Sequence, residues 1–142
     1  MTDADLIMIL KDRDQRARLA LRGAGFAFVA MFATGLAVRG IADPGALFVI
    51  ALAAGLLTMP VALGLGVFAI ARGPVLVVFA SLFAMVTVVL GALVMWDALM
   101  SSQSTAGIAF FLLPMAEMAA FTVVLTAGLV GDAILGTRGK SS

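Results

Sequence analysis

Four long apolar runs divide this chain of 142 residues, and no other feature restricts its fold so strongly. An α-helix needs about 20 apolar residues to cross the hydrocarbon core of a bilayer. Residues 46–71, 75–97 and 107–132 reach that length, and residues 23–42 do so if Arg39 extends its charged head to the interface. The chain is 63% hydrophobic and 12% charged, whereas soluble domains are about half apolar and about a quarter charged. A soluble fold of this size has too little interior to hide so much apolar surface. The expected fold is all-α: an integral membrane four-helix up-down bundle, preceded by a short amphipathic N-terminal helix.

Residues 1–21 form that lead-in. Leu6, Ile9, Leu10 and Ala17 fall near one helical face, with Lys11, Asp12, Arg13, Asp14, Arg16 and Arg18 supplying the polar remainder. Thr2 followed by Asp5 is a weak N-terminal cap signal. The segment reads as an interfacial or cytosolic helix running into the first span; a flexible charged tail is the alternative. Basic residues ahead of an apolar run also suit a cleaved signal peptide, but the four acidic residues of this leader argue against it. Asp43-Pro44-Gly45, Arg72-Gly73-Pro74 and Ser101 to Thr105 mark the connections. Such short connections make consecutive spans antiparallel neighbours. Residues 22–136 then make one transmembrane domain, and 137–142 a tail.

Charge placement sets the orientation. Lys11, Arg13, Arg16, Arg18, Arg22, Arg72, Arg138 and Lys140 fall on the side of the N-terminus, and Arg39 alone on the other. The positive-inside rule then puts both termini in the cytoplasm, with Trp96 at the outer interface. The Ala- and Gly-rich composition points to a bacterial inner membrane. At the outer end Arg39 and Asp97 are candidates for an interfacial ion pair; at the inner end Asp132 lies near the levels of Arg22 and Arg72.

The inventory of side chains excludes much chemistry. With no Cys, His or Tyr, there is no disulfide, thiolate, imidazole base, zinc set or His-ligated haem. The nine Met residues form no tight cluster beside other soft ligands, so they read as packing residues. No metal or cofactor is expected, and no nucleic-acid partner. Pairs of small residues four apart abound, among them Ala51/Gly55, Pro60/Gly64, Ala62/Gly66, Ala80/Ala84, Ala116/Ala120 and Ala127/Gly131, and they permit close helix approach.

One ionisable residue lies deep in a span. Glu117 sits about ten residues into the fourth run, roughly 15 Å deep at ~1.5 Å rise per residue. An ionised carboxylate there is costly, so the group should face the bundle interior, meet water or be protonated. Pro114, one turn earlier, removes a helical hydrogen bond near Phe110 and Phe111. The midpoints of the other spans fall near Thr34, near Thr58 and Pro60, and near Thr87. These residues make a candidate polar layer around Glu117. The bland alternative is that each Thr hydroxyl bonds to its own helix. Pro60 and Pro114 also hint at a two-helix repeat, on few matching positions.

The expected function is non-catalytic: an accessory, assembly or interaction subunit whose partners are the lipid bilayer and another membrane protein or further copies of itself. The alternative is a small oligomeric proton-coupled transporter or channel with Glu117 as its buried acid. A holin-like pore fits less well. One buried Glu without a second acid, a nucleophile or a metal set does not assemble a catalytic pair.

Overall fold

The computed structural model describes residues 2–39, 44–101 and 106–140. Four helices account for nearly all of them: α1 (Asp3–Arg39), α2 (Pro44–Ile70), α3 (Pro74–Met100) and α4 (Ala106–Lys140). All four are long and apolar enough to cross a membrane, so the chain is an all-α four-helix membrane bundle. Pro44 and Pro74 each occupy the first position of a helix, where a missing N–H costs nothing. Asp43 and the connection from Ser102 to Thr105 lie outside the described residues.

The helices outrun the apolar runs in the sequence. No break separates an N-terminal amphipathic helix from the first span: both belong to α1, of 37 residues. At ~1.5 Å per residue α1 is about 55 Å long, against a hydrocarbon core of about 30 Å. Its first turn is closed by Thr2 and Asp5. The Thr2 hydroxyl donates to the Asp5 carboxylate at 2.8 Å, and the Asp5 N–H donates to the Thr2 hydroxyl at 3.4 Å. Likewise the expected tail is mostly helix, since α4 continues to Lys140.

Contacts between helices fix their sense. Gly23 on α1 lies against Leu65, and Gly35 against Ile50, so α1 and α2 run antiparallel. On α2 and α3, Gly64 meets Phe83, Ala80 and Ala84, while Leu57 lies near Gly91. On α3 and α4, Leu76 lies against Gly128 and Val75 against Gly131. Small residues sit at these crossings, as expected where no hydrophobic drive holds helices together in lipid. The core joins Ala27 and Met31 of α1, Ala53, Ala54, Leu57 and Val61 of α2, and Met95 of α3.

The four helices do not form a square. α2 and α3 lie together along the short diagonal; α1 packs on both, α4 packs on both, and the α1 and α4 backbones make no close approach among the described residues. The centre is filled by the α2–α3 contact.

The N-terminal end of α3 is held by α4. Gly73, its N-cap, offers no capping side chain. Asp132 takes that role from the neighbouring helix: its two carboxylate oxygens accept the N–H groups of Val75 at 2.9 Å and Leu76 at 3.1 Å. An anion at a helix N-terminus also meets the positive end of the dipole. A Cβ at position 73 would collide with the Asp132 carboxylate, so only glycine admits this cap. Asp132 was expected to pair with Arg22 or Arg72. Backbone N–H groups meet it instead, because the α2–α3 turn brings the open end of α3 against α4. Among the described residues the ion pairs are Asp12–Arg16 and Asp14–Arg18, both within α1; Arg72 and Asp97 form none, and the Arg39 side chain lies outside the described residues. Arg16 also reaches the carbonyl of Ala71 at the end of α2, at 3.4 Å.

Candidate functional site

Glu117 is 4% exposed, the most deeply buried ionisable group among the described residues. It projects from α4 one turn after Pro114, which is itself buried. Proline at 114 leaves the carbonyl of Phe110 without its helical donor. Pro60 in α2 is buried in the same way and frees the carbonyl of Leu56.

The Glu117 side chain lines a groove between α3 and α4 with a volume of about 460 Å³, but its two oxygens are closed off beneath a lining that presents only apolar surface. From α3 come Phe79, Phe83, Thr87 and Leu90; from α4 come Ala120, Val124 and Ala127. The lining extends over Phe79–Leu90, about 16 Å of helix at ~1.5 Å per residue, from mid-depth toward the end of the bundle that holds the N-terminus. Leu82, Val86 and Val123 form its rim and are 55%, 55% and 68% exposed. The groove therefore opens sideways, toward lipid. Glu117 is the only charged residue in its lining.

Neither oxygen of Glu117 has a hydrogen-bond partner. The three candidate threonines explain why. Thr87 lines the same groove, but its hydroxyl donates to the carbonyls of Phe83 at 2.9 Å and Ala84 at 3.0 Å. Thr58 donates to Ala54 at 2.6 Å and lies 3.7 Å from the Met31 sulfur, inside the α1–α2 contact. Thr34 donates to Ala30 at 2.8 Å, on the helix whose backbone does not come close to α4. Each hydroxyl proton is already used by its own helix, as is common for Thr in membrane helices. The sequence placed these residues near mid-depth, and Thr87 does share the groove with Glu117. The polar layer does not converge, because equal depth says nothing about which way a helix faces.

The groove also contains residues the sequence did not single out. Phe79 and Phe83 supply aromatic surface; the Phe83 ring packs on Phe121 with centroids 5.3 Å apart. Ala120, Val124 and Ala127 follow Glu117 at helical spacing and keep one wall low. That spacing was a legible signal, but only the α3–α4 contact shows that Thr87 and the phenylalanines stand opposite.

The arrangement supplies aromatic and aliphatic walls with lateral access from the bilayer, and one carboxyl group buried beneath them. Without a donor or cation from its own chain, the carboxyl is stable as the neutral acid or with a bound counter-charge. Among the described residues no group of three or more acidic side chains gathers as a metal-binding set would. No protein-family model, curated protein or solved structure matches the chain.

Proposed function

We propose that the protein is a non-catalytic interaction subunit of a bacterial inner membrane, with both termini cytoplasmic, and that α1 carries its contact surface. The observation behind this is the run Leu6–Leu10. Its residues are 47%, 65%, 67%, 47% and 55% exposed. Seven charged residues from Lys11 to Arg22 separate it from the first apolar run, so it extends past the membrane rather than into it. Five consecutive apolar residues cover the whole circumference of a helix, and a helix apolar all round belongs inside something. Within the bilayer exposed leucines are covered by lipid; outside it they call for a protein.

The same helix outlines a recess of about 530 Å³ against the α2–α3 turn, lined by Leu6, Ile9, Leu10, Asp12, Arg13, Arg16, Ala71 and Arg72. Arg16 is paired with Asp12, while Arg13 and Arg72 form no ion pair among the described residues. Apolar surface beside two uncompensated guanidinium groups suits a segment with an apolar face and acidic residues. Purification in mild detergent should yield a complex rather than a homogeneous lone particle. Replacing Leu6, Ile9 and Leu10 with Ser should release the partner while α2–α4 remain folded. A partner retained by that triple variant would sink the proposal.

A second role is favoured by the unpartnered Glu117: proton-coupled carriage by the α3–α4 groove. The filled centre of the bundle leaves the lateral groove, in one copy or between copies, as the place where a path forms. Glu117→Gln should abolish proton-coupled flux in liposomes; unchanged flux would refute this role.

A further inference from the structure

We propose that an anionic phospholipid, from the leaflet on the side of the termini, docks along α1 and α2, its phosphodiester held between Arg13 and Arg72 and an acyl chain lying in the groove beside Leu65 and Phe68.

The recess under Leu6 and Leu10 carries the charge. Its lining holds three guanidinium groups, on Arg13, Arg16 and Arg72, and one carboxylate, on Asp12. Arg16 is committed: it pairs with Asp12 at 3.1 Å and reaches the Ala71 carbonyl at 3.4 Å. Arg13 and Arg72 are exposed and form no ion pair among the described residues. The recess is thus left with two uncompensated positive charges. Each guanidinium is a planar fork of N–H donors that matches two phosphate oxygens. The height is that of lipid headgroups. The Arg16–Ala71 contact sets α1 level with the end of α2, where the apolar run gives way to Arg72.

A second opening lies beneath, toward the bilayer centre. It has a volume of about 230 Å³ and is lined by Gly23 of α1, Leu65 and Phe68 of α2, and Ser81, Met85 and Val88 of α3. The Ser81 hydroxyl donates to the Val77 carbonyl at 2.8 Å, so this groove asks for an apolar occupant. Both openings follow the same faces. On α2, Leu65 and Phe68 recur at helical spacing, and Ala71, whose N–H still bonds to Val67 at 2.8 Å, carries that face into the recess. On α1, Arg13 and Arg16 lead through the buried Ala20 to Gly23. Gly23 lies about 10 Å below Arg16 at ~1.5 Å per residue, at the depth of acyl chains.

A basic recess above an apolar groove matches a phosphate headgroup above an acyl chain, and basic pockets beside membrane helices recognise anionic lipids in this way. A soluble phosphate would use the upper half alone. An acidic peptide segment held in the recess would not enter the lower half. Carboxylates of a docking partner meet the same guanidinium groups and have to displace the lipid. The inference itself does not depend on that partner.

The probe is phosphatidylglycerol, against phosphatidylcholine with the same chains, added to the full-length protein in mild detergent and read by native mass spectrometry. The wild type should retain the anionic lipid in clear preference. Arg13→Gln combined with Arg72→Gln should weaken that retention about tenfold, the rough size expected of two basic residues at an anionic surface. Arg18→Gln combined with Arg22→Gln removes the same charge outside the recess and should stay within about twofold of wild type. Met85→Trp fills the groove from a position that is 67% exposed, and should weaken retention about tenfold with both arginines intact. Val78→Trp, exposed on the same helix outside the groove, should stay within about twofold. Every substituted side chain is exposed, so none of these changes removes a packed core residue.

Equal retention of the two lipids overturns the proposal, as does undiminished retention in either the Arg13/Arg72 variant or Met85→Trp. A loss just as large in the Arg18/Arg22 variant or in Val78→Trp overturns it too, since the effect would then not belong to this face. Displacement of phosphatidylglycerol by inorganic phosphate or polyglutamate at equal concentration would assign the recess to a soluble anion or an acidic protein, and would likewise reject the lipid.

Discussion

At the scale of single residues, two carboxylates take opposite parts. Asp132 is fully used: each oxygen receives a backbone N–H from the first turn of α3. Replacing a capping Asp with Ala costs about 1 kcal/mol, so Asp132→Ala should lower the unfolding temperature in detergent, with the single Trp, Trp96, as fluorescent reporter. Gly73→Ala should produce a similar loss by displacing the same carboxylate. Glu117 is the reverse case. It gives the fold no hydrogen bond, so Glu117→Leu should leave stability unchanged or raise it, since replacing an unsatisfied buried polar group with an apolar one removes a desolvation penalty. A loss of more than about 1 kcal/mol, the size of one net hydrogen bond, would mean that the acid is a structural crosslink. Depth made Glu117 conspicuous in the sequence. The role of Asp132 was hidden, because its partners are backbone groups some 56 residues away, which no side-chain pattern reports.

At the scale of helices, the apolar runs mark where the chain crosses the membrane but not where its helices end. The sequence changes character at Arg22, from charged to apolar, yet α1 continues through it. Helical propensity does not distinguish water from lipid when Leu, Ala and Arg fill both segments. The N-terminal turn depends on the Thr2–Asp5 box. The Thr2 hydroxyl and then the Thr2 N–H hold the Asp5 carboxyl below its ordinary value of 3.8. A carboxyl lowered in the folded state stabilises above its ordinary range and loses that contribution as pH falls through the folded value. The protection of the Leu6 amide, its exchange measured relative to the intrinsic rate at the same pH, should therefore fall on acidification below about pH 4, the ordinary carboxylate range, and stay flat above it. Close packing is equally local. A Cβ at Gly128 would lie 2.7 Å from Leu76 Cδ1 and 3.1 Å from its Cα, where a backbone atom cannot retreat. Gly128→Ala should cost about 1–3 kcal/mol by overpacking. Gly55, with nothing within 4 Å, should accept Ala without loss. Gly55 belongs to a small-residue pair, Ala51/Gly55, and Gly128 to none four residues away, so that pattern does not find the tighter contact.

At the scale of the whole molecule, the pairing of α2 with α3 decides what the bundle can be. With α1 and α4 at opposite corners, the middle holds buried residues such as Leu57 and Val61 and no passage. Any site must lie in a side groove or at an end; among the described residues these include the α3–α4 groove beside Glu117, a smaller side groove of about 230 Å³ lined by Leu65, Ser81 and Val88, and the recess under Leu6 and Leu10. Since the sequence has no Cys, single Cys substitutions at Gln15 and Ser142 should be labelled only from the cytoplasmic side, and one at Ser102 only from the other. Labelling of Ser142 from outside would overturn the orientation.

The sequence by itself determined that the chain crosses a membrane four times, because about 20 consecutive apolar residues have no other stable environment. Through the same logic it singled out Glu117. Only the tertiary structure decided which residues face Glu117. Rotation of each helix about its axis is set by the packing of small residues across contacts, and that information lies in pairs of distant positions. Packing turned Thr34 and Thr58 away, left Thr87 beside the acid with its proton already committed, and opened the α3–α4 groove toward lipid.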